Sequence, residues 1–247
     1  MKIVGFVKMH NEAERGNLER CLKNLKKYCS NIVIYDSGST DNSVEVAKKY
    51  TDYIITGKDD FKAELLQKQE LLEYALKLKP EWIFWIDPDE ILEKRGFEGI
   101  KKLCKFGDTF GVDGFAFHEI NLWRSECWYR LDNQFNNKWD IRLWKAKPEL
   151  KFNTSLGLHR PQHPLGLQRI LPCNLQIIHY GFSTVELIVQ KYKTYKALGQ
   201  TGWALSRLID ERTLKLAPVN IQWFDKTPKL EPMPKPLSME KWKKLVA

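Results

Sequence analysis

The chain has 247 residues, enough for one large domain or one domain with an appendage, and 43% of them are hydrophobic, ample for a packed core. Its formal charge of +9, from 40 Lys and Arg against 31 Asp and Glu, favours anionic partners without choosing among phosphates, nucleic acid and acidic membranes. Five Cys with no CxxC argue against a disulfide framework or a Cys-rich zinc site, and no apolar run approaches the ~18 residues that cross a bilayer, so a soluble cytoplasmic protein is expected.

The start, "MKIVGFVK", is too short for the apolar region of a signal peptide and reads as a first strand. It ends in the polar loop "MHNEAERGN". Leu18, Cys21, Leu22 and Leu25 then recur at helical spacing. "NIVIYDSGSTDNS" is a second strand closing in a polar turn, followed by the helix "SVEVAKKY" with Asp41 or Asn42 as its cap. "DYIIT" is a third strand. Residues 60–79 form a long helix whose apolar face is Phe61, Leu65, Leu72, Ala75 and Leu76, supported by the i,i+4 pair Glu64 and Lys68 and ended by Pro80. "EWIFWI" is a continuous apolar run suited to a central strand buried on both faces.

Strand and helix thus alternate four times over residues 1–95, the pattern of a doubly wound α/β sheet. Ligands bind such sheets beyond the carboxyl ends of the strands, and "HNE", "DSGSTDN" and "DPDE" all fall there. The acids after Ile86 are therefore expected to line a crevice in contact with water. After residue 95 the pattern loosens. "GVDGFAFHEINLW" and "DIRLWKAK" read as strands, "STVELIVQKYKTYKALGQ" as a helix, and the last stretch as a Pro- and Lys-rich segment with a short basic amphipathic end. The nine Trp residues fall mostly in this second half and suggest a region lined with rings.

Asp87 and Asp89 share a strand-end loop with one residue between them. Close carboxylates repel unless a cation sits near them, and hard divalent ions take one or two carboxylates with substrate phosphates completing the shell. The plain alternative is a charged turn capping a helix at Asp89 or Glu90. The turn "DSGSTDN" lets backbone N–H groups and the Asp36 carboxylate face a ligand, or serves as an ordinary strand–helix joint.

Taken in order, the "HNE" loop, "DSGSTDN", the long helix with "QKQ" and "WIFWIDPDE" resemble the family 2 glycosyltransferases of GT-A fold, well over residues 1–95 and thinly beyond. The resemblance implies a GT-A-like, Rossmann-related α/β sandwich with a mixed, mainly parallel sheet. Residues 1–95 would be the nucleotide-sugar half, 96–215 the acceptor side and 216–247 a tail. It implies a UDP-, GDP- or dTDP-linked donor, with Asp36 bonding the base, Ser37 within the allowed turn pattern, and His10, Asn11 and Glu12 flanking the nucleotide. Lys68 would face the donor. Asp87-Pro88-Asp89 matches the DxD motif, in which Asp87 would contact the ribose or a metal-bound water and Asp89 would bind Mn²⁺ or Mg²⁺. Many such enzymes add a histidine, which picks His179 of "LQIIHYGF"; an imidazole suits Mn²⁺ better than Mg²⁺.

The expected reaction is hexose transfer with inversion to a hydroxyl of a glycan or lipid-linked acceptor, in glycan, cell-surface polysaccharide or lipopolysaccharide synthesis. A metal and fixed cations such as Lys68 or Arg142 would steady the leaving diphosphate. One carboxylate must act as general base. Arg160 stands where relatives carry a Glu, so the base falls to Asp140, with Glu119 second. "HRPQH" places His159 and His163 four apart, yet Pro161 interrupts the helix a zinc protease would need.

An oxidoreductase would show GxGxxG after the first strand, and "KMHNEAERGN" lacks it. A nucleic-acid or membrane-binding module is the rival from another class, supported by the charge, the Trp-rich half and "EKWKKLVA"; three acidic strand-end clusters speak against nucleic acid. The basic end is the expected point of any peripheral contact with an anionic membrane.

Overall fold

The structure, a computed structural model, describes every residue except 59, 61–62, 133–134, 136–137 and 156–161. Phe61, His159 and Arg160 lie outside the described residues.

Apolar alternation builds the amino-terminal layers. β1 (Ile3–Met9), β2 (Asn31–Asp36) and β4 (Trp82–Trp85) are almost wholly buried, and β3 (Ile54–Thr56) closes their edge. Because successive side chains point to opposite faces, each strand feeds two cores. Ile3, Val7, Ile32, Ile34, Trp82 and Phe84 pack with Leu18, Cys21, Leu22 and Leu25 of α1 (Asn17–Leu25) and with Ala47 of α2 (Ser43–Lys48). Val4, Phe6, Val33, Tyr35, Ile83 and Trp85 pack on the other side with Leu65, Leu71, Leu72 and Ala75 of α3 (Glu64–Lys77). The helical face read from the sequence is therefore present, though α3 begins at Glu64 and not at residue 60.

Among the described residues the main sheet has eight strands, in the order β3-β2-β1-β4-β8-β6-β9-β5, with β5 (Glu90–Leu92), β6 (Gly114–Asn121), β8 (Trp139–Lys145) and β9 (Ile170–His179). Parallel pairings join β3, β2, β1 and β4, and antiparallel pairings join β4 to β8 and β8 to β6. This is the mixed, mainly parallel sheet expected. α4 (Gly96–Phe110) was not legible in the sequence; it buries Gly96, Ile100, Cys104 and Gly107 and leaves its Phe and Lys residues outside. Gly107 is required by close approach, since a Cβ there would stand 2.5 Å from Trp82 Cη2.

The chain divides into two compact units, residues 1–118 with 139–177, and residues 119–138 with 178–247. The second contains α5 (Val185–Ala197), capped by Thr184 Oγ1 accepting from Leu187 N at 3.2 Å, and α6 (Trp203–Ile209). It also holds a two-stranded sheet of β7 (Trp128–Arg130) and β10 (Leu216–Pro218), and α7 (Met239–Val246). Its core is Trp123, Phe135, Phe182, Ile188, Leu208, Ile209, Trp242 and Val246. The basic carboxyl-terminal helix thus buries its apolar side within this unit.

All five Cys are free and buried. Burial pushes the thiols of Cys21, Cys29 and Cys104 well up and that of Cys173 up to about 11. Iodoacetamide at mildly alkaline pH is expected to label none of them in the native protein and all five after denaturation, read by intact mass; rapid native labelling would contradict the packing.

Candidate active site

Three loops meet at one rim because β2, β1 and β4 run parallel, with Met9 paired to Asp36 and Phe6 to Trp85. The first two loops are bonded into one body. His10 Nδ1–H donates to the Ser37 carbonyl at 2.9 Å while the Asn11 amide donates to His10 Nε2 at 3.2 Å, which fixes the tautomer. Asn11 takes a left-handed backbone, φ 51°, and its Oδ1 accepts from Thr40 N at 2.7 Å and Asp41 N at 3.3 Å. Gly38, φ 73°, supplies the tight turn opposite it.

Ser43 and Asp41 do most of the stitching. Ser43 Oγ accepts from Glu12 N and Ala13 N at 2.8 and 2.9 Å, and Asp41 accepts from Ala13 N, Glu14 N and Ser43 N. Burial works to raise the Asp41 carboxyl, but these bonds outweigh it and hold the group below the usual carboxylate range. Glu12 is buried and paired with Arg15 at 2.6 Å.

Asp36 is fully buried and accepts from Ser39 N at 3.1 Å. Ser37 Oγ donates to Gln67 Oε1 at 3.0 Å, and Gln67 donates to the Lys58 carbonyl at 3.1 Å. Beneath this turn lies Trp85, the last residue of β4. Its ring carries two cations, the Lys68 ammonium 3.8 Å and the Arg142 guanidinium 4.0 Å from the centroid, both side chains 1% exposed. Lys68 is 3.4 Å from Glu64 and donates to Gln162 Oε1, while Gln162 Nε2 donates to Glu64 at 3.3 Å.

Arg142 on β8 gathers the acids. It donates to Glu90 at 2.7 Å and to Asp140 at 3.4 Å, and stands 3.6 Å from Asp87. Glu90 also accepts from Asp87 N at 2.8 Å, which shapes the DPD turn. The expectation that the acids after Ile86 stand in water therefore fails for two of the three. Asp89 is 9% and Glu90 2% exposed, and only the Asp87 side chain is substantially open, at 38%. For Glu90 the reason is Arg142, whose guanidinium 2.7 Å away offsets the cost of a buried carboxylate. Asp140 keeps 27% of its side chain exposed, and burial lowers the pKa of nearby His163 against the pull of Asp140.

Glu119 and His179 belong to the second unit. Glu119 is buried, 2.6 Å from Lys138 Nζ and 3.6 Å from His179 Nδ1. His179 Nδ1–H donates to Asn121 Oδ1 at 2.7 Å, and its Nε2 accepts from the Lys191 ammonium at 3.1 Å. That lone pair is the one a metal would use. Among the described residues no group of three or more His, Cys, Asp or Glu side chains is gathered around a common point. Asp87 and Asp89 supply the one or two carboxylates that a hard divalent ion takes when substrate phosphates complete its shell, so the acids fit Mg²⁺ or Mn²⁺ while His179, as placed, does not.

Sequence reasoning missed Trp85, Glu90 and Gln162. Trp85 was within reach: strand alternation puts it on the face of α3, where Leu65, Lys68 and Leu72 share one stripe.

The Glycosyl transferase family 2 model matches residues 6–126. The SPbeta prophage-derived glycosyltransferase SunS of Bacillus subtilis (strain 168) is 25% identical over 228 residues, covering 87% of this chain and 46% of its own length. The chain thus spans about half the length of that curated relative. S. aureus TarS 1-349 in complex with UDP superimposes with a TM-score of 0.53 at 14% identity, over 85% of this chain and 71% of that one. The mannosyltransferase PcManGT from Pyrobaculum calidifontis, in complex with GDP-Man and Mn²⁺, gives 0.51 at 13% identity, over 84% and 72%. With the order of the rim loops and the acids after β4, residues 6–126 match glycosyl transferase family 2, and the chain has the GT-A fold.

Proposed function

We propose that this chain transfers a hexose from a nucleoside diphosphate to an acceptor hydroxyl, with inversion. One observation carries the reading: two buried cations lie over Trp85 at the rim where the His10–Glu12 loop, the Asp36 turn and the DPD turn converge. A diphosphate is the ligand that such cations and hard-ion carboxylates share. Asp36 and Ser37 would face the nucleoside, with His10, Asn11 and Glu12 beside it. Lys68 reaches the donor when the Gln162 amide oxygen on its ammonium gives way to a phosphate oxygen.

Asp87 and Asp89 would hold Mg²⁺ or Mn²⁺, whose chemistry is to neutralise charge on the departing diphosphate. Arg142, 3.6 Å from Asp87, adds fixed positive charge at the strand end. Asp140 is the proposed base. It is partly open to solvent, as a group that meets an acceptor hydroxyl must be, whereas Glu119 is closed in by Lys138. The acceptor would be a glycan or lipid-linked saccharide of a surface polysaccharide, held by residues in 96–215.

Thermal-shift measurements with nucleoside diphosphates and nucleotide sugars, with and without Mn²⁺, test this. One nucleotide is expected to raise the melting temperature by several degrees, and more with the ion. A flat response to UDP, GDP and dTDP alike would remove the reading.

A further inference from the structure

We propose that the outer side of α4 is a docking surface for an anionic lipid bilayer. This stands apart from the donor site. The inner side of the helix is fixed in the core by Ile100, Cys104 and Gly107. Outside, Lys102, Phe106 and Phe110 follow one another at four-residue spacing and so lie along one line of the surface. Phe106 is 43% and Phe110 56% exposed, and their ring centroids are 4.6 Å apart, giving one continuous apolar spot on a helix in water.

Basic groups flank it. Lys101 and Lys105 are exposed on a neighbouring stripe of the helix's outer side, and Arg169 donates Nη1–H to the Phe110 carbonyl at 2.8 Å, followed by the exposed Ile170. The acids of the helix are already matched: Glu98 lies 3.6 Å from Lys102, and Asp108 lies 2.9 Å from Lys145. The surplus is positive. Phenyl rings enter the acyl boundary while long basic side chains reach lipid phosphates, so rings and cations share one ligand.

Single-stranded nucleic acid is the rival occupant, since bases also stack on exposed rings, and the oligonucleotide arm of the test separates the two. α7, the basic end that the sequence nominates for a membrane, has Trp242 and Val246 buried within its own unit. Among the described residues no helix is long and apolar enough to cross a membrane, so contact by this route would be peripheral.

Co-sedimentation of the full chain with phosphatidylcholine vesicles, with and without phosphatidylglycerol, tests the surface. The chain is expected to pellet only with the anionic vesicles. The pairs Phe106→Ser with Phe110→Ser, and Lys101→Gln with Lys105→Gln, should each weaken that binding by roughly tenfold or more, with unchanged circular dichroism and melting temperature. The Lys pair touches only exposed side chains, so a folding failure of the Phe pair leaves the test intact. No binding to anionic vesicles overturns the proposal, as does binding that survives both pairs. Light scattering that shows a dimer broken by the Phe pair overturns it too, as does binding of an oligonucleotide, and not of vesicles, that the two pairs abolish.

Discussion

Asp89→Asn is expected to cut turnover on a nucleotide sugar by at least ~10²-fold, about 3 kcal/mol, and to remove the divalent-ion-dependent part of the donor's thermal shift. The substitution keeps the shape of the side chain and deletes one charge, so packing at this 9% exposed position should hold. Its effect is then electrostatic. A divalent ion at the rim meets two carboxylates in the parent and one in the variant, against the fixed positive field of Arg142 and Lys68. Asp87→Asn should cost less, because Asp87 is more exposed and its charge is screened by water as well as by Arg142 3.6 Å away. Binding of donor without the ion should survive both changes. If Asp89→Asn binds ion and donor as the parent does, the DPD turn is a structural joint and the proposed donor chemistry loses its metal.

Legibility followed local signals. β1, β2 and β4 announce themselves because each is buried on both faces and reads as an apolar run, as in "IVGFVKM" and "WIFW". The loops at their ends were found because polar clusters interrupting such runs have nowhere else to go. What stayed hidden depends on distant residues. α4 hides behind its glycines, because Gly107 answers to Trp82, which lies 25 positions earlier. Burial of Glu90 follows from Arg142, 52 positions later on an antiparallel strand, and no window of sequence joins them. Gln162 reaches Lys68 over a separation of 94 residues. His179 was placed at a strand end as expected, but its partner Lys191 one helix later decides what its ring nitrogen can do.

Arg142→Met is expected to lower stability by ~3–5 kcal/mol, the cost of stranding a buried carboxylate. Arg142 and Glu90 each have side chains 1% exposed and are 2.7 Å apart, so Glu90 has no route to water once the guanidinium is gone. Asp87 and Asp140, at 38% and 27% exposure, can be solvated instead and contribute less. Met fills most of the vacated volume over Trp85, which separates loss of charge from loss of packing. Adding Glu90→Gln should then return most of the stability, because a neutral amide can still accept the Asp87 N–H that Glu90 Oε2 holds at 2.8 Å. Chemical denaturation of the parent, the two single variants and the double variant closes the cycle. A coupling of several kcal/mol identifies the pair as the support of the DPD turn. A single variant that costs under ~1 kcal/mol, or a double variant no better than Arg142→Met alone, would mean that this charge does not hold the acids in place. Activity separates two roles of the same residue: the double variant should regain stability and not turnover, because the positive charge proposed to face the departing diphosphate is still missing.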